Sequence, residues 1–145
     1  MRMHAAAALP LLVLAAAACG GALSEQELVA KADAICNRIN TRMAKEPDPK
    51  TTKDLERLAD RTVELSDPAI EDMEDLEPPS KLEADFKKFV ASLKRQRDLT
   101  KRLGAAAGED DTAKVQELLA NAQKWQVEYV RLTGKIGFKE CGGGV

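Results

Sequence analysis

Residues 24–43 read SEQELVAKADAICNRINTRM, and this stretch decides the fold because it predicts an amphipathic α-helix with a cysteine beside its apolar face. Ser24 and Glu27 have the spacing of a capping box, in which each side chain accepts a hydrogen bond from the other residue's backbone. Apolar residues then recur at steps of three and four, as one face of a helix requires. They are Leu28, Ala32, Ile35, Ile39 and Met43. Cys36 lies at the edge of this face, where a neighbouring segment can reach it.

A second amphipathic segment begins at Thr51 or Thr52 and ends before the Glu77-Pro78-Pro79 turn. Its apolar face keeps one phase across Pro68, which predicts a single helix that is kinked at this proline. The alternative is a new helix with Asp67 as its cap and Pro68 at its first position.

The third segment is predicted to start with another capping box, formed by Ser80 and Glu83. Apolar residues at helical steps continue from Leu82 to Leu103. The helix is predicted to end around Gly104 to Gly108, where the small residues indicate a loop.

The fourth helix is predicted to be capped by Asp110 or Asp111 and to end at Gly137 in a left-handed conformation. Four helices with short connections predict an all-α fold, an antiparallel up-down four-helix bundle. This topology brings the fourth helix beside the first. We therefore predict that a disulfide between Cys36 and Cys141 closes the bundle.

Residues 1–18 have the layout of a secretory signal, with one basic residue, Arg2, followed by an apolar run from Ala5 to Ala18. The run has about 14 residues, fewer than the roughly 20 that a transmembrane helix needs. Ala16-Ala17-Ala18-Cys19 followed by glycine resembles a bacterial lipobox, although Ala16 stands where leucine is usual. An ordinary signal peptide, cleaved after the same small residues, is the alternative.

Cysteine parity favours lipidation of Cys19. An exported protein with three cysteines has one unpaired thiol unless one of them is modified. We therefore predict a lipoprotein signal peptide (1–18), a lipidated Cys19 with a short tether (19–23), a bundle domain (24–141) and a flexible tail (142–145). The predicted location is the extracytoplasmic face of the cell membrane, with secretion as the alternative.

Three motifs resemble a family of small secreted or lipid-anchored bacterial helical proteins. They are Ala32-Asp33-Ala34-Ile35-Cys36-Asn37, the turn Leu76-Glu77-Pro78-Pro79, and Gly137-Phe138-Lys139-Glu140-Cys141-Gly142. The resemblance spans most of residues 24–142. Because these motifs are structural, it implies a fold and a location and no activity.

The composition excludes most catalytic chemistry. The single histidine is His4, so the mature chain lacks the usual base of a Ser or Cys triad and the commonest transition-metal ligand. Without Arg2, 21 basic residues face 24 acidic ones, a net charge of −3 that does not favour nucleic acid. We predict no catalytic residues, no metal and no cofactor. Trp125 and Tyr129, four residues apart, are predicted core residues, with a sugar platform as the alternative.

Two charged surfaces stand out. An acidic cluster ends the second helix: Glu71, Asp72, Glu74, Asp75 and Glu77. Its spacing does not match a calcium loop, so we predict a solvated face, partly paired with Lys81, Lys87 and Lys88. The third helix carries a basic face opposite its apolar one: Lys87, Lys88, Lys94, Arg95, Arg97, Lys101 and Arg102.

These observations predict a membrane-tethered, non-enzymatic lipoprotein that binds an envelope partner or supports envelope structure. One alternative is a lipid-surface protein that binds anionic head groups through the basic face. Another is an envelope hydrolase that acts through carboxylates. The sequence leaves the oligomeric state and the partner open.

Overall fold

The computed structural model describes residues 21–142 and contains four helices in this range. They are α1 (Glu25–Met43), α2 (Thr52–Glu74), α3 (Glu83–Gly108) and α4 (Thr112–Ile136). The part of the chain that the structure describes contains no strand. The predicted all-α four-helix bundle is confirmed.

The first two helices begin with capping boxes. The Glu27 N–H donates to Ser24 Oγ at 3.3 Å, and the Ser24 N–H donates to Glu27 Oε2 at 2.9 Å, as predicted. These bonds, with the Ser24 side chain as the largest cause, lower the pKa of Glu27. Thr51, rather than Thr52, caps α2 and forms a second box with Asp54.

Helix α2 is continuous through Pro68. A new helix with Asp67 as its cap is therefore wrong. The ring nitrogen of Pro68 has no hydrogen to donate to the Glu64 carbonyl oxygen, which is the physical basis of the predicted kink. The kink itself, like the up-down topology of the whole bundle, stays a prediction.

The predicted start of α3 and the predicted loop at 104–108 are wrong, whereas the helix ends at Gly108, within the range predicted for its end. The Leu82 N–H donates to the Pro79 carbonyl oxygen at 2.8 Å and closes a turn, so α3 begins at Glu83 without a side-chain cap. Glu83 is thus the first helical residue and cannot complete a box with Ser80. At the other end, residues 104–108 are helical because Ala106 and Ala107 are buried.

In the contacts between consecutive helices, residues that come earlier in one helix lie against residues that come later in the other. Between α2 and α3, Gly104 lies against Ala59, and Arg97 forms an ion pair with Asp67. Between α3 and α4, Lys135 forms an ion pair with Asp85 at 2.7 Å, which lowers the pKa of Asp85. Such contacts arise when neighbouring helices run in opposite directions.

Two separate apolar clusters form the core. The larger cluster lies at the end of the bundle where α1 begins and α4 ends, and four aromatic rings are at its centre: Phe86, Phe89, Tyr129 and Phe138. The smaller cluster lies at the opposite end of α3 and α4, with Ala106, Ala107, Val115 and Leu118 as its buried members. The middle of α4, from 119 to 128, belongs to neither cluster.

Candidate functional site

The structure corrects the prediction for Trp125. This residue, the one tryptophan of the chain, is 43% exposed, whereas Tyr129 is buried as predicted. Trp125 lies in the middle of α4, between the two apolar clusters. The side of α3 that faces it there carries mostly polar side chains.

Arg95 of α3 lies directly over the indole ring. Its guanidinium carbon is 4.1 Å from the ring centroid, within the range of a cation–π contact. The guanidinium is planar, so stacking leaves its N–H groups free to donate from its edges. Trp125 therefore orients Arg95 and leaves its hydrogen-bonding edges available to a ligand.

A groove of about 560 Å³ surrounds this stacked pair between α3 and α4. Its polar lining consists of Lys94, Arg95, Asp98, Arg102, Asn121 and Trp125, and we call it the Trp125 groove. Ala91 and Leu99 supply apolar surface. The volume lies within the range of about 300–1,000 Å³ that is typical of ligand sites.

The predicted basic face of α3 is divided rather than continuous. Lys94 Nζ is 2.5 Å from Glu74 Oε1, and Arg97 Nη1 is 2.9 Å from Asp67 Oδ1, so α2 neutralises both. Arg95 and Arg102 form no ion pair within residues 21–142. Lys87, Lys88 and Lys101 form no ion pair there either, but of the unpaired basic residues of α3 it is Arg95 and Arg102 that line the Trp125 groove, on the α4 side.

Two of the five residues of the acidic cluster at the end of α2 are paired, but with other partners than predicted. Asp72 binds Arg38 of α1, and Glu74 binds Lys94. Lys81 instead pairs with Glu25 of α1. Among the described residues, no group of His, Cys, Asp or Glu side chains is arranged to hold a metal ion.

The predicted bond between Cys36 and Cys141 is present. The sulfurs are bonded, the Cα atoms are 5.1 Å apart, and both residues are buried. The bond joins α1 to the segment that follows Gly137, whose φ of 94° is the predicted left-handed cap. Cys19, the predicted lipidation site, lies outside the described residues, as do residues 143–145 of the predicted tail.

Asp33 fixes the segment that carries Cys141. Its carboxylate accepts hydrogen bonds from the backbone N–H groups of Lys139, at 3.0 and 3.1 Å, and of Glu140, at 2.9 Å. Asn40 Nδ2 donates to the Glu140 carbonyl oxygen at 2.9 Å. Two residues of α1, on either side of Cys36, thus fix the backbone beside its disulfide partner.

None of the helices in residues 21–142 is both long enough and apolar enough to cross a membrane. Comparison of the chain with family models, curated proteins and solved structures found no match.

Proposed function

We propose that this chain is an exported, membrane-tethered binding protein of the bacterial envelope that acts without catalysis. In this proposal a lipid on Cys19 anchors it, and the Trp125 groove binds its ligand. The observation that carries the proposal is the exposed Trp125 with Arg95 stacked on it, inside a groove of ligand size.

The disulfide supports the location outside the cytoplasm. Disulfides persist in oxidising compartments and are rare in the cytosol. The bond between Cys36 and Cys141 uses two of the three cysteines, which leaves Cys19 as the odd one. A lipobox-like sequence at that cysteine agrees with its acylation, and the signal-like residues 1–18 agree with export.

The proposed anchor sets the orientation of the bundle. The Leu23 N–H donates to the Glu77 carbonyl oxygen at 2.8 Å, which fixes the end of the tether beside the start of α3. Leu23 is four positions after Cys19, so the tether spans at most about 14 Å. The end of the bundle that carries the start of α3 therefore lies close to the membrane.

The Trp125 groove lies away from that end. Arg95 and Arg102 are 12 and 19 residues beyond Glu83, about 18 and 28 Å along the axis of α3. A bundle that stands on its tethered end thus presents the groove to the space beyond the membrane. This placement suits an envelope ligand better than the membrane surface.

The two alternatives have less support. A lipid-surface role through the whole basic face requires Lys94 and Arg97, which are paired with carboxylates of α2. A carboxylate-dependent hydrolase requires one carboxyl group that acts as an acid and a second that acts as a base or nucleophile. The acidic side chains whose pKa values shift, Glu27, Asp54 and Asp85, belong to helix caps or to an ion pair.

Cell fractionation tests the anchor, and co-sedimentation with isolated cell-wall material tests the groove. We expect the wild-type protein in the membrane fraction and Cys19→Ala outside it. Wall material should retain the wild-type protein and the control Val127→Ala, and it should release Trp125→Ala. Val127 is a residue of α4 that is 74% exposed and does not line the groove. Membrane retention of Cys19→Ala would contradict the anchor. If wall material retained Trp125→Ala and Val127→Ala equally, this would contradict the proposal that the groove binds the ligand.

A further inference from the structure

We propose that the ligand of the Trp125 groove is a linear polyanion, a polymer that carries phosphate or carboxylate groups along its length. This inference rests on the proposed function, because it names the class of ligand that the same groove binds. The spacing, the orientation and the pairing of the groove's charges support this ligand.

The two unpaired cations of the groove are arranged as a row. Arg95 and Arg102 are seven residues apart, which is two helical turns, so both lie on the same side of α3. The rise of an α-helix places their Cα atoms about 10–11 Å apart along the axis. A small ion contacts one such guanidinium, whereas a chain with repeated charges contacts both at once.

Arg95 is oriented before any ligand binds. Its stacking on Trp125 restricts a long side chain that would otherwise lose conformational entropy on binding. A guanidinium held in this way offers two parallel N–H groups to a phosphate or a carboxylate. Asn121, which also lines the groove, adds an uncharged hydrogen-bonding group on the α4 side.

Asp98 lies between the two arginines in sequence and lines the same groove. Its Oδ1 is 2.9 Å from Arg97 Nε, a contact that is an ion pair without a hydrogen bond along the N–H direction. Among the described residues, Asp98 forms its ion pair with Arg97 and none with Arg95 or Arg102, but it places a negative charge between these two in the sequence. The spaced anionic groups of a polymer can contact the two arginines without lying against this carboxylate. A continuous anionic surface would lie against it as well.

The same reasoning disfavours an anionic membrane as the ligand. A flat bilayer would face Asp98 together with the arginines. With the tethered end against the membrane, it would also lie about 18 Å or more from Arg95. A polymer strand can enter a concave groove between two helices at that height. We therefore assign the groove to a polymer of the envelope.

Trp125 provides the readout, because it is the single tryptophan of the chain and its emission reports the groove alone. The full processed protein in neutral detergent is titrated with sodium polyphosphate, with polygalacturonate and with uncharged dextran. We expect a saturable change in emission with one polyanion or both, weaker at high salt, and none with dextran. The response to each polymer distinguishes phosphate from carboxylate.

Two double variants compare the arginines of the groove with lysines of α3 that lie outside it. Arg95→Gln/Arg102→Gln should raise the Kd by about tenfold or more, which corresponds to a loss of about 1.4 kcal/mol or more, since both charge-assisted contacts are removed. Lys88→Gln/Lys101→Gln removes the same charge from α3 outside the groove, and its Kd should change by about twofold at most. Titration midpoints are compared, because the loss of Arg95 changes the emission of Trp125 itself.

Three results would overturn the polyanion proposal: no response to either polyanion, equal weakening by the two variant pairs, or a response to phosphatidylglycerol vesicles in place of the polymers. If wall material still retains the protein in a Trp125-dependent manner while both polyanions fail, the proposed function stands and only the ligand class is wrong. If wall retention fails as well, both proposals are wrong.

Discussion

The phenolic hydroxyl of Tyr129 donates a hydrogen bond to the backbone carbonyl oxygen of Cys141, the residue that forms the disulfide with Cys36. Tyr129 is buried against Phe89, with the two ring centroids 5.7 Å apart. Burial raises the pKa of Tyr129 to about 12. One side chain of α4 thus joins the aromatic centre of the larger cluster to the disulfide.

The raised pKa of Tyr129 predicts a loss of stability in alkali. The unfolded chain releases the phenolic proton near pH 10, whereas the folded chain keeps it to about pH 12. The contribution is fully present below pH 10 and is lost as the pH rises from about 10 to 12, by about 2–3 kcal/mol. Urea unfolding across this range measures it. Because Tyr129→Phe has no phenolic proton, it should lack this part of the loss. Equal alkaline slopes for the two proteins would contradict the prediction.

Asp33→Ala should loosen the C-terminal segment. It leaves the backbone N–H groups of Lys139 and Glu140 without their carboxylate acceptor, which costs about 1–2 kcal/mol of unfolding free energy. Because the disulfide is buried, its reduction requires local opening, which should become more frequent. Urea unfolding and the rate of reduction by dithiothreitol measure the two effects. The matched control is Asp48→Ala, at an exposed position between α1 and α2. Equal reduction rates in the two variants would show that Asp33 does not fix the segment.

Alanine at two helical glycines should have opposite effects. An alanine Cβ at Gly104 would lie 2.9 Å from the Cβ of Ala59, so α2 and α3 must move apart, at a cost of about 1–3 kcal/mol. A Cβ at Gly134 would meet no atom within 4 Å, so Gly134→Ala should gain up to about 1 kcal/mol from helix propensity. Thermal or urea unfolding of the two variants measures both signs. Destabilisation by Gly134→Ala, or none by Gly104→Ala, would contradict the packing described here.

Features that depend on local hydrogen bonds could be predicted from the sequence. The capping box of Ser24 and Glu27 and the left-handed cap at Gly137 each involve residues within one turn. The disulfide followed from the number of cysteines and the predicted fold. The predicted capping box at Ser80 is wrong because the Pro79 carbonyl oxygen accepts a hydrogen bond from the Leu82 N–H. This turn shifts the start of α3 by two residues.

Features that depend on a neighbouring helix could not be predicted. Helical spacing places Trp125 on the same face as Tyr129, but only the fold shows that α3 presents Arg95 there. Gly104 is compatible with a loop in isolation, yet it lies in α3, where the lack of a side chain lets α2 approach closely at Ala59. In the same way, the partners of Lys94 and Arg97 lie on α2, so the basic face of α3 looked continuous in the sequence alone.

The intact mass of the exported protein, alkylated before and after reduction, tests the allocation of the three cysteines most directly. We predict a chain that begins at Cys19 with an added diacylglyceryl group. It should take up no alkyl label before reduction and two labels, at Cys36 and Cys141, after it. An unlipidated product, or labelling of Cys36 and Cys141 in the native, unreduced protein, would contradict the tethered, disulfide-closed bundle.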